Sequence, residues 1–476
     1  MRISTDGRVL RDEHGRERVF QGINLVEKGT KKLVGSFADR GFRGRWTPAD
    51  IADFAARGFT LIRLGVMWAA VEPAPGEYDG DYLDWVRSQM DLIHEHGMAV
   101  LLDAHQDLYS QAFGDGAPAW ATLSSGEFAE TDLWSDAYLT SPALHEALDN
   151  FWANAPGPGG IGLQDRFAVM WAHVAGALGD HPGLLGYDLL NEPAPGSAAP
   201  QTFGYLLGAF AQVTGQDFDA VMADFTDPEA KFAQLGRLED EAVHRQVGDA
   251  VHGLVAEFET AAVAPFMQKV RDAIREVDGG TLIAREHSYF ANMGVASGQP
   301  PLEDHAWVYS PHGYDLTVDT PAISMSSNTR AGTIFARHKE TQDRLGVPVI
   351  VGEFGALGLG ANVTDHGRFL VELFDSYGWS WTYWCWEPGF AGSEAAVLLR
   401  RSRPVACAGS GLSWQARGSE LAASWSGQDS AQPSVFYLSE PESITVTCDG
   451  AEVGYDLDGP WLRVAAGPGR FELTVR

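Results

Sequence analysis

Short apolar runs alternate with amphipathic stretches over most of the chain. Eight of the runs read as strands: 19–25, 59–66, 98–105, 184–192, 281–287, 307–314, 347–355 and 380–387. Between them, segments such as 48–58, 81–97, 164–178, 264–277, 331–345 and 365–377 place apolar residues at helical spacing. Gly58 and Gly97 stand just before the next strand, where a helix C-cap takes glycine. Strand and helix in eight-fold alternation predict an α/β fold, a (β/α)8 TIM barrel, over residues 1–391.

After residue 392 the helical period gives way to short alternating segments separated by Gly, Pro, Asp and Ser. This predicts a C-terminal antiparallel β-sandwich domain over 392–476. It could bind carbohydrate, or pack on the barrel; no exposed aromatic row is evident, which favours packing. Two connections exceed ordinary βα loops. One, 106–160, carries Trp120, Trp134, Phe151 and Trp152; the other, 194–262, carries Phe203-Gly204-Tyr205-Leu206-Leu207 and an acidic helical stretch. Both follow strands of the barrel and would lie over its C-terminal face.

Of 476 residues, 45% are hydrophobic, enough for a large core. The fifteen tryptophans can serve that core or stack on the apolar face of a sugar. A formal net charge of −30 argues against nucleic acid, whose binding needs phosphate neutralisation, and against docking on an anionic membrane through a basic patch. No apolar run is long enough to span a bilayer, so stable membrane insertion is not expected. The N-terminus shows no apolar signal core, which fits either a cytoplasmic protein or one whose leader has been removed. Cys385 reads as a buried thiol, while Cys407 and Cys448 could pair or stay free. Zinc spacing is absent, no metal or cofactor is implied, and a monomer is expected.

The chemistry gathers at strand ends. Leu184–Leu190 runs into Asn191-Glu192-Pro193, and Val347–Val351 runs into Gly352-Glu353-Phe354-Gly355. Two carboxylates at the C-terminal ends of core strands suit a retaining glycosidase, with a carboxyl separation of about 5–5.5 Å. Glu192 would act as acid/base with a raised pKa, and Glu353 as the ionised nucleophile held by Arg63 or Tyr314. Asn191 could bind a sugar 2-hydroxyl. His105 and Asp107 could bind further hydroxyls, though His105 also reads as a structural residue. His312 faces the same point, and Trp384 and Trp386 share a parity that would turn both to the barrel mouth.

With these motifs in place, the chain resembles glycoside hydrolase family 5 over about residues 18–390. Asn191-Glu192-Pro193, Gly352-Glu353-Phe354-Gly355, Arg63, His105, His312, Tyr314 and the terminal-strand tryptophans carry the likeness. It implies a retaining double displacement. A narrower resemblance is to the endoglycoceramidase branch. It rests on segments 67–79 and 102–110, on Gly116-Ala117-Pro118-Ala119-Trp120-Ala121, on Asp149-Asn150-Phe151-Trp152 and on Tyr187–Pro193. That branch implies sugar contacts from His105, Asp107 and Trp152, and from a lysine near the first strand, with Lys28, Lys31 and Lys32 as the choices. Gly22–Lys28 departs from the branch pattern, which suggests a subgroup with its own sugar preference. The implied substrate is a glycosphingolipid cut between its reducing-end sugar and ceramide, with Phe203, Tyr205, Leu206 and Leu207 forming part of a ceramide groove. A β-glucanase on the same barrel and a glycosylceramidase preferring short glycolipids are the alternatives.

Overall fold

Eight parallel strands pair in chain order around a closed barrel: Gln21–Leu25, Leu61–Val66, Ala99–Ala104, Leu184–Asp188, Leu282–Arg285, Trp307–Tyr309, Ile350–Val351 and Ser380–Tyr383. A Tyr309–Val349 bridge closes the sixth strand on the seventh. The computed structural model describes residues 2–28, 41–358, 360 and 362–476. Every expected strand is present, but each is shorter than its apolar run. The fourth stops at Asp188, so Asn191 and Glu192 sit in the turn beyond it. Strands six and seven are interrupted at Pro311 and Gly352, and resume as His312–Gly313 and Glu353–Phe354, which pair in parallel.

Helices Pro48–Ala56, Gly80–Glu95, Leu163–Leu178, Ala264–Arg275, Asn328–Leu345, Thr364–Tyr377 and Glu394–Leu399 wrap the barrel. Only a 3-10 turn, Tyr289–Met293, follows strand five before strand six. Gly58 and Gly97 take φ of 79° and 78°, the left-handed C-cap geometry expected of them.

The lower barrel is filled by inward residues: Leu61, Leu101, Leu185, Leu282, Ala284, Val308 and Ile350. Ile3, Leu10 and Phe20 join this cluster, so the N-terminal hairpin plugs the bottom. Period-two alternation carries the same face upward from Leu61 to Arg63, from Leu101 to Asp103, from Ala284 to Glu286 and from Val308 to Ser310. An apolar floor therefore supports a polar layer.

The C-terminal region is a sandwich of two antiparallel sheets. One has five strands, including Gly409–Arg417, Glu420–Gly427 and Gly469–Val475. The other has seven, and three of them come from the start of the chain: Ile3–Asp6, Val9–Asp12 and Glu17–Arg18. The sheet does not follow the expected division at 391/392, because residues 3–18 hydrogen-bond beside Arg403–Cys407 rather than in the barrel. Trp425, Phe436 and Phe471 fill the sandwich, and buried Arg403 ties it to the barrel by lying over the Phe59, Trp381 and Tyr437 rings. Cys385, Cys407 and Cys448 are all free thiols. Among the described residues no helix is long and apolar enough to cross a membrane.

The long insertion after strand four is helical. It comprises Ala199–Thr214, Phe218–Thr226, Pro228–Leu235 and Glu241–Phe258, the last running through a π-turn, Glu259–Val263, into Ala264–Arg275. Leu207, Phe210, Val221, Leu235, Leu238 and Val247 give it a core of its own.

Candidate active site

Arg63 is the hub of the polar layer and is fully buried. Its guanidinium donates to Asp188 Oδ2 at 2.9 Å, Asn24 Oδ1 at 3.1 Å, Glu353 Oε1 at 2.8 Å, Asn191 Oδ1 at 2.9 Å and Glu286 Oε1 at 2.9 Å. Asp103 Oδ1 also lies 2.9 Å from it. Burial alone would lower its pKa, but Asp103, Asp188, Glu286 and Glu353 hold it well above the usual value. Only arginine offers enough donors in a fixed fork to satisfy so many acceptors.

Glu353 takes a second hydrogen bond from Tyr314 Oη at 2.6 Å. The parallel pairing of His312 with Glu353 brings the imidazole alongside, its Nδ1 3.6 Å from Glu353 Oε2 and 3.1 Å from Glu192 Oε1. Gly352 makes this possible, since a Cβ there would fall 2.5 Å from His312 Nε2. Glu192 adopts φ 43° in its turn. Gln106 holds that turn by donating to the carbonyls of Asn191 and Glu192 at 2.7 and 3.1 Å. Asn292 Nδ2 donates to Glu192 Oε1 at 2.7 Å. Burial, with the charges of Glu353 and Asp107 added, raises the pKa of Glu192. One carboxylate oxygen from each of Glu192 and Glu353, together with a His312 nitrogen, lie within 4.8 Å of one another.

A second charged cluster sits beside the first. The Lys28 ammonium pairs with Asp107 and lies 4.8 Å from the Trp384 ring centre and 5.6 Å from that of Trp134. His105 stacks on Trp384 with centroids 5.2 Å apart and hydrogen-bonds Asp103 through Nδ1 at 2.8 Å. Despite burial, Asp103 and Asp107 hold His105 up to about 10. Burial would raise Asp107, yet Lys28 and His105 bring it down to about 2. Burial and the Asp107 charge push Asp115 up to about 7.

These groups open on a cavity of about 230 Å³. Lys28, Asp107, Glu192, Tyr314, Glu353 and Trp384 line its polar end, and Asn292, absent from the sequence expectations, joins them. Its other end is apolar: Phe203, Leu206, Leu207, Phe210, Phe225 and Leu238 from the helical insertion, with Leu316. Arg63, His105, Asn191 and His312 lie beneath the cavity wall. Asn191, 1% exposed, spends both ends of its amide on Arg63 and the Gln106 carbonyl, so it braces the site rather than lining it.

Three expected positions lie elsewhere. Trp152 packs on Phe258 and Phe266 and donates to the Ala194 carbonyl, so its ring serves the core. Trp386 packs edge-on against Trp46 and donates to Asp50, because the chain leaves the regular strand at Tyr383 and the expected parity ends there. Tyr205 is 55% exposed, on the outer face of the helix whose inner face carries Phe203 and Leu206. Lys31 and Lys32 lie outside the described residues.

The sequence of this chain matches the cellulase family, glycosyl hydrolase family 5, over residues 30–389. It is 34% identical over 196 residues to endoglycoceramidase I of Rhodococcus hoagii (strain 103S), covering 41% of this chain and 37% of that one. Curated endoglycoceramidases are matched over only about two fifths of their own length. Endo-glycoceramidase II from Rhodococcus sp., solved as a ganglioside GM3 complex, superposes with a TM-score of 0.75 at 25% identity over 99% of both chains. The crystal structure of an endogalactoceramidase shares the fold, with a TM-score of 0.70 at 21% identity over all of both chains. By the match that spans most of its barrel, the chain belongs to glycosyl hydrolase family 5, a family of glycoside hydrolases.

Proposed function

We propose that this protein hydrolyses the bond between the reducing-end sugar of a glycosphingolipid and its ceramide, with retention of configuration. The observation that carries the reading is the two-ended cavity: charged and hydroxyl groups around two carboxyls at one end, an apolar chamber at the other. A glucan has no use for such a chamber; a lipid aglycone fills it. The solved structures of endo-glycoceramidase II, which include a lactosyl-enzyme intermediate and a ganglioside GM3 complex, support the same class of substrate.

Glu353 is the nucleophile in this reading. Arg63 and Tyr314 each donate to one of its oxygens and aim it, and it attacks the anomeric carbon to form a glycosyl-enzyme. Glu192, whose Oε1 takes hydrogen bonds from Asn292 and His312, is the acid/base. Its remaining oxygen gives a proton to the leaving ceramide oxygen, then recovers one from the water that cleaves the intermediate. One oxygen of each carboxyl lies within 4.8 Å of the other, an approach that favours the retaining separation of about 5–5.5 Å between carboxyl groups over the inverting one of roughly 6.5–9.5 Å. Lys28, Asp107 and Trp384 are placed to bind the sugar, with His105 behind Trp384.

Product analysis on a small glycolipid panel tests the reading. Free ceramide plus the intact oligosaccharide is the expected pair, and Glu353→Ser should abolish both. Release of single terminal sugars, or activity retained by the Glu353→Ser variant, would overturn it.

A further inference from the structure

Glu286 caps the inward face of the fifth strand, two residues above Ala284, and is fully buried. Its carboxyl makes three contacts. Oε2 accepts the backbone N–H of Glu192 at 2.7 Å. Oε1 accepts from Arg63 Nη2 at 2.9 Å and lies 3.2 Å from His312 Nε2. Across the imidazole, His312 Nδ1 meets Glu192 Oε1 at 3.1 Å. One carboxyl therefore reaches Glu192 twice, once through the peptide and once through the ring.

Both routes constrain Glu192. Its φ of 43° is a conformation that residues with a Cβ seldom adopt, and an acceptor facing its N–H holds the turn there. Asn292 already donates to Glu192 Oε1, so that oxygen is an acceptor, and His312 Nδ1 beside it carries a hydrogen. His312 Nε2 has no hydrogen-bond partner, and its relation to Glu286 Oε1 is a charge contact at 3.2 Å. As an imidazolium, with a hydrogen on each nitrogen, the ring has the Glu286 carboxylate as its counter-charge. The alternative, that Glu286 is only a counter-ion for Arg63, leaves the Glu192 and His312 contacts without a purpose. Burial, then the neighbouring Asp188 charge, pushes Glu286 up to about 8, while the Glu286 charge is the first of those that hold His312 above the usual imidazole range against its own burial. Backbone support comes from His287, whose Nε2 accepts the N–H of His312 at 3.0 Å.

Resting on the assignment of Glu192 as acid/base, we propose that Glu286 is a positioning residue for proton transfer. As acceptor of the Glu192 N–H and counter-charge of the His312 ring it keeps Nδ1–H on Glu192 Oε1, and so leaves Oε2 to carry the proton delivered to the leaving oxygen.

The test is Glu286→Gln. An amide cannot meet all its neighbours, because its NH2 faces a donor whether it turns toward Arg63 or toward Glu192. kcat/KM is compared on an alkyl β-lactoside, which needs acid help, and on 2,4-dinitrophenyl β-lactoside, which does not. The expected loss is about 100-fold or more on the first and under about 10-fold on the second. Azide, which attacks the glycosyl-enzyme without a base, should raise turnover of the activated substrate. Equal losses on both substrates, or none on either, would overturn the proposal. Glu192→Gln run alongside separates the two levels: if it shows no leaving-group split, the acid/base assignment itself fails. Ring 15N NMR of His312 in the unaltered enzyme does not depend on how the variant folds. A hydrogen on Nδ1 across the active pH range is expected, and a ring protonated at Nε2 alone would refute the idea.

Discussion

Tyr314 and Arg63 both hold Glu353, yet removing them should do different things. Tyr314→Phe deletes one charge-assisted hydrogen bond at the rim of the cavity and leaves no buried charge stranded. A bond of that kind contributes about 1.5–3 kcal/mol, so kcat should fall roughly 10- to 100-fold with melting temperature little changed. An unchanged kcat would remove Tyr314 from the machinery. Arg63→Lys instead leaves Asp188, Glu286 and Glu353 in the core with too few donors. It should destabilise the fold by about 3–5 kcal/mol, read in a denaturant titration. A variant as stable as the parent would mean the polar layer is more hydrated than its burial shows. The sequence exposed half of this layer. Glu192, His312 and Glu353 could be read because each follows an apolar run, and Arg63 because it is a lone charge inside one. Asp103, Asp188 and Glu286 close apolar runs too, but they stand one to four residues before a more conspicuous neighbour. Strand parity could have found Asp103 and Glu286, since each lies two residues above an inward apolar partner. Asn292 sits on a 3-10 turn whose placement depends on the tertiary fold, and no local pattern marks it.

At the scale of elements, helix ends were legible where glycine enforces them. Gly58 and Gly97 each stop a helix in the left-handed conformation, and Gly346 and Gly378 do the same at φ 70°. Strand ends were not, because an apolar residue continues to be buried after the ladder stops, as Leu189 and Leu190 are. The insertion after strand four shows a similar division: its helical spacing marks an apolar face but not what that face meets. Phe203 and Leu206 line the chamber, whereas Tyr205, between them in sequence, faces out. This alternation makes the groove testable on one helix. Serine at both Phe203 and Leu206 should cut kcat/KM for a glycosylceramide at least about 10-fold, given ~1.5–3 kcal/mol for each buried side chain. Activity on a soluble aryl glycoside should stay within about two-fold, and Tyr205→Ser should alter neither. Parallel losses on both substrates would return the helix to a purely structural role.

The whole molecule carries a charge of −30 around a core of perturbed carboxyls, and the two act together on its pH dependence. Asp107, held down to about 2 by Lys28, contributes stability that is present above the ordinary carboxyl range and lost as pH falls through about 2. Asp115 and Glu286 have the opposite sign. Their folded values of about 7 and about 8 exceed the ordinary range, so between roughly pH 4 and 8 the native state binds more protons than the unfolded chain. Stability therefore declines as pH rises through that window. His105, raised to about 10, prolongs the decline above pH 7, because its favourable charge is lost as pH climbs through that value. Repulsion among the surface carboxylates grows in the same direction. The N-terminal strands, which lie in the C-terminal sheet and plug the barrel floor, couple the two regions, so one cooperative transition should report all these terms. Burial lowers the pKa of His287 and His338, which adds stability as pH rises from 5 through the ordinary histidine range, so the decline stands alone only above about pH 7, and the melting temperature should be higher near pH 7 than near pH 8. Salt should recover only the screened surface part of the difference. Asp115→Asn should remove the Asp115 share of the decline up to about pH 7 while leaving the salt response intact. A melting temperature that is level from about pH 7 to 8, or that rises, would show that the buried groups find their protons and partners in another arrangement. A difference abolished by salt would assign it to the surface alone.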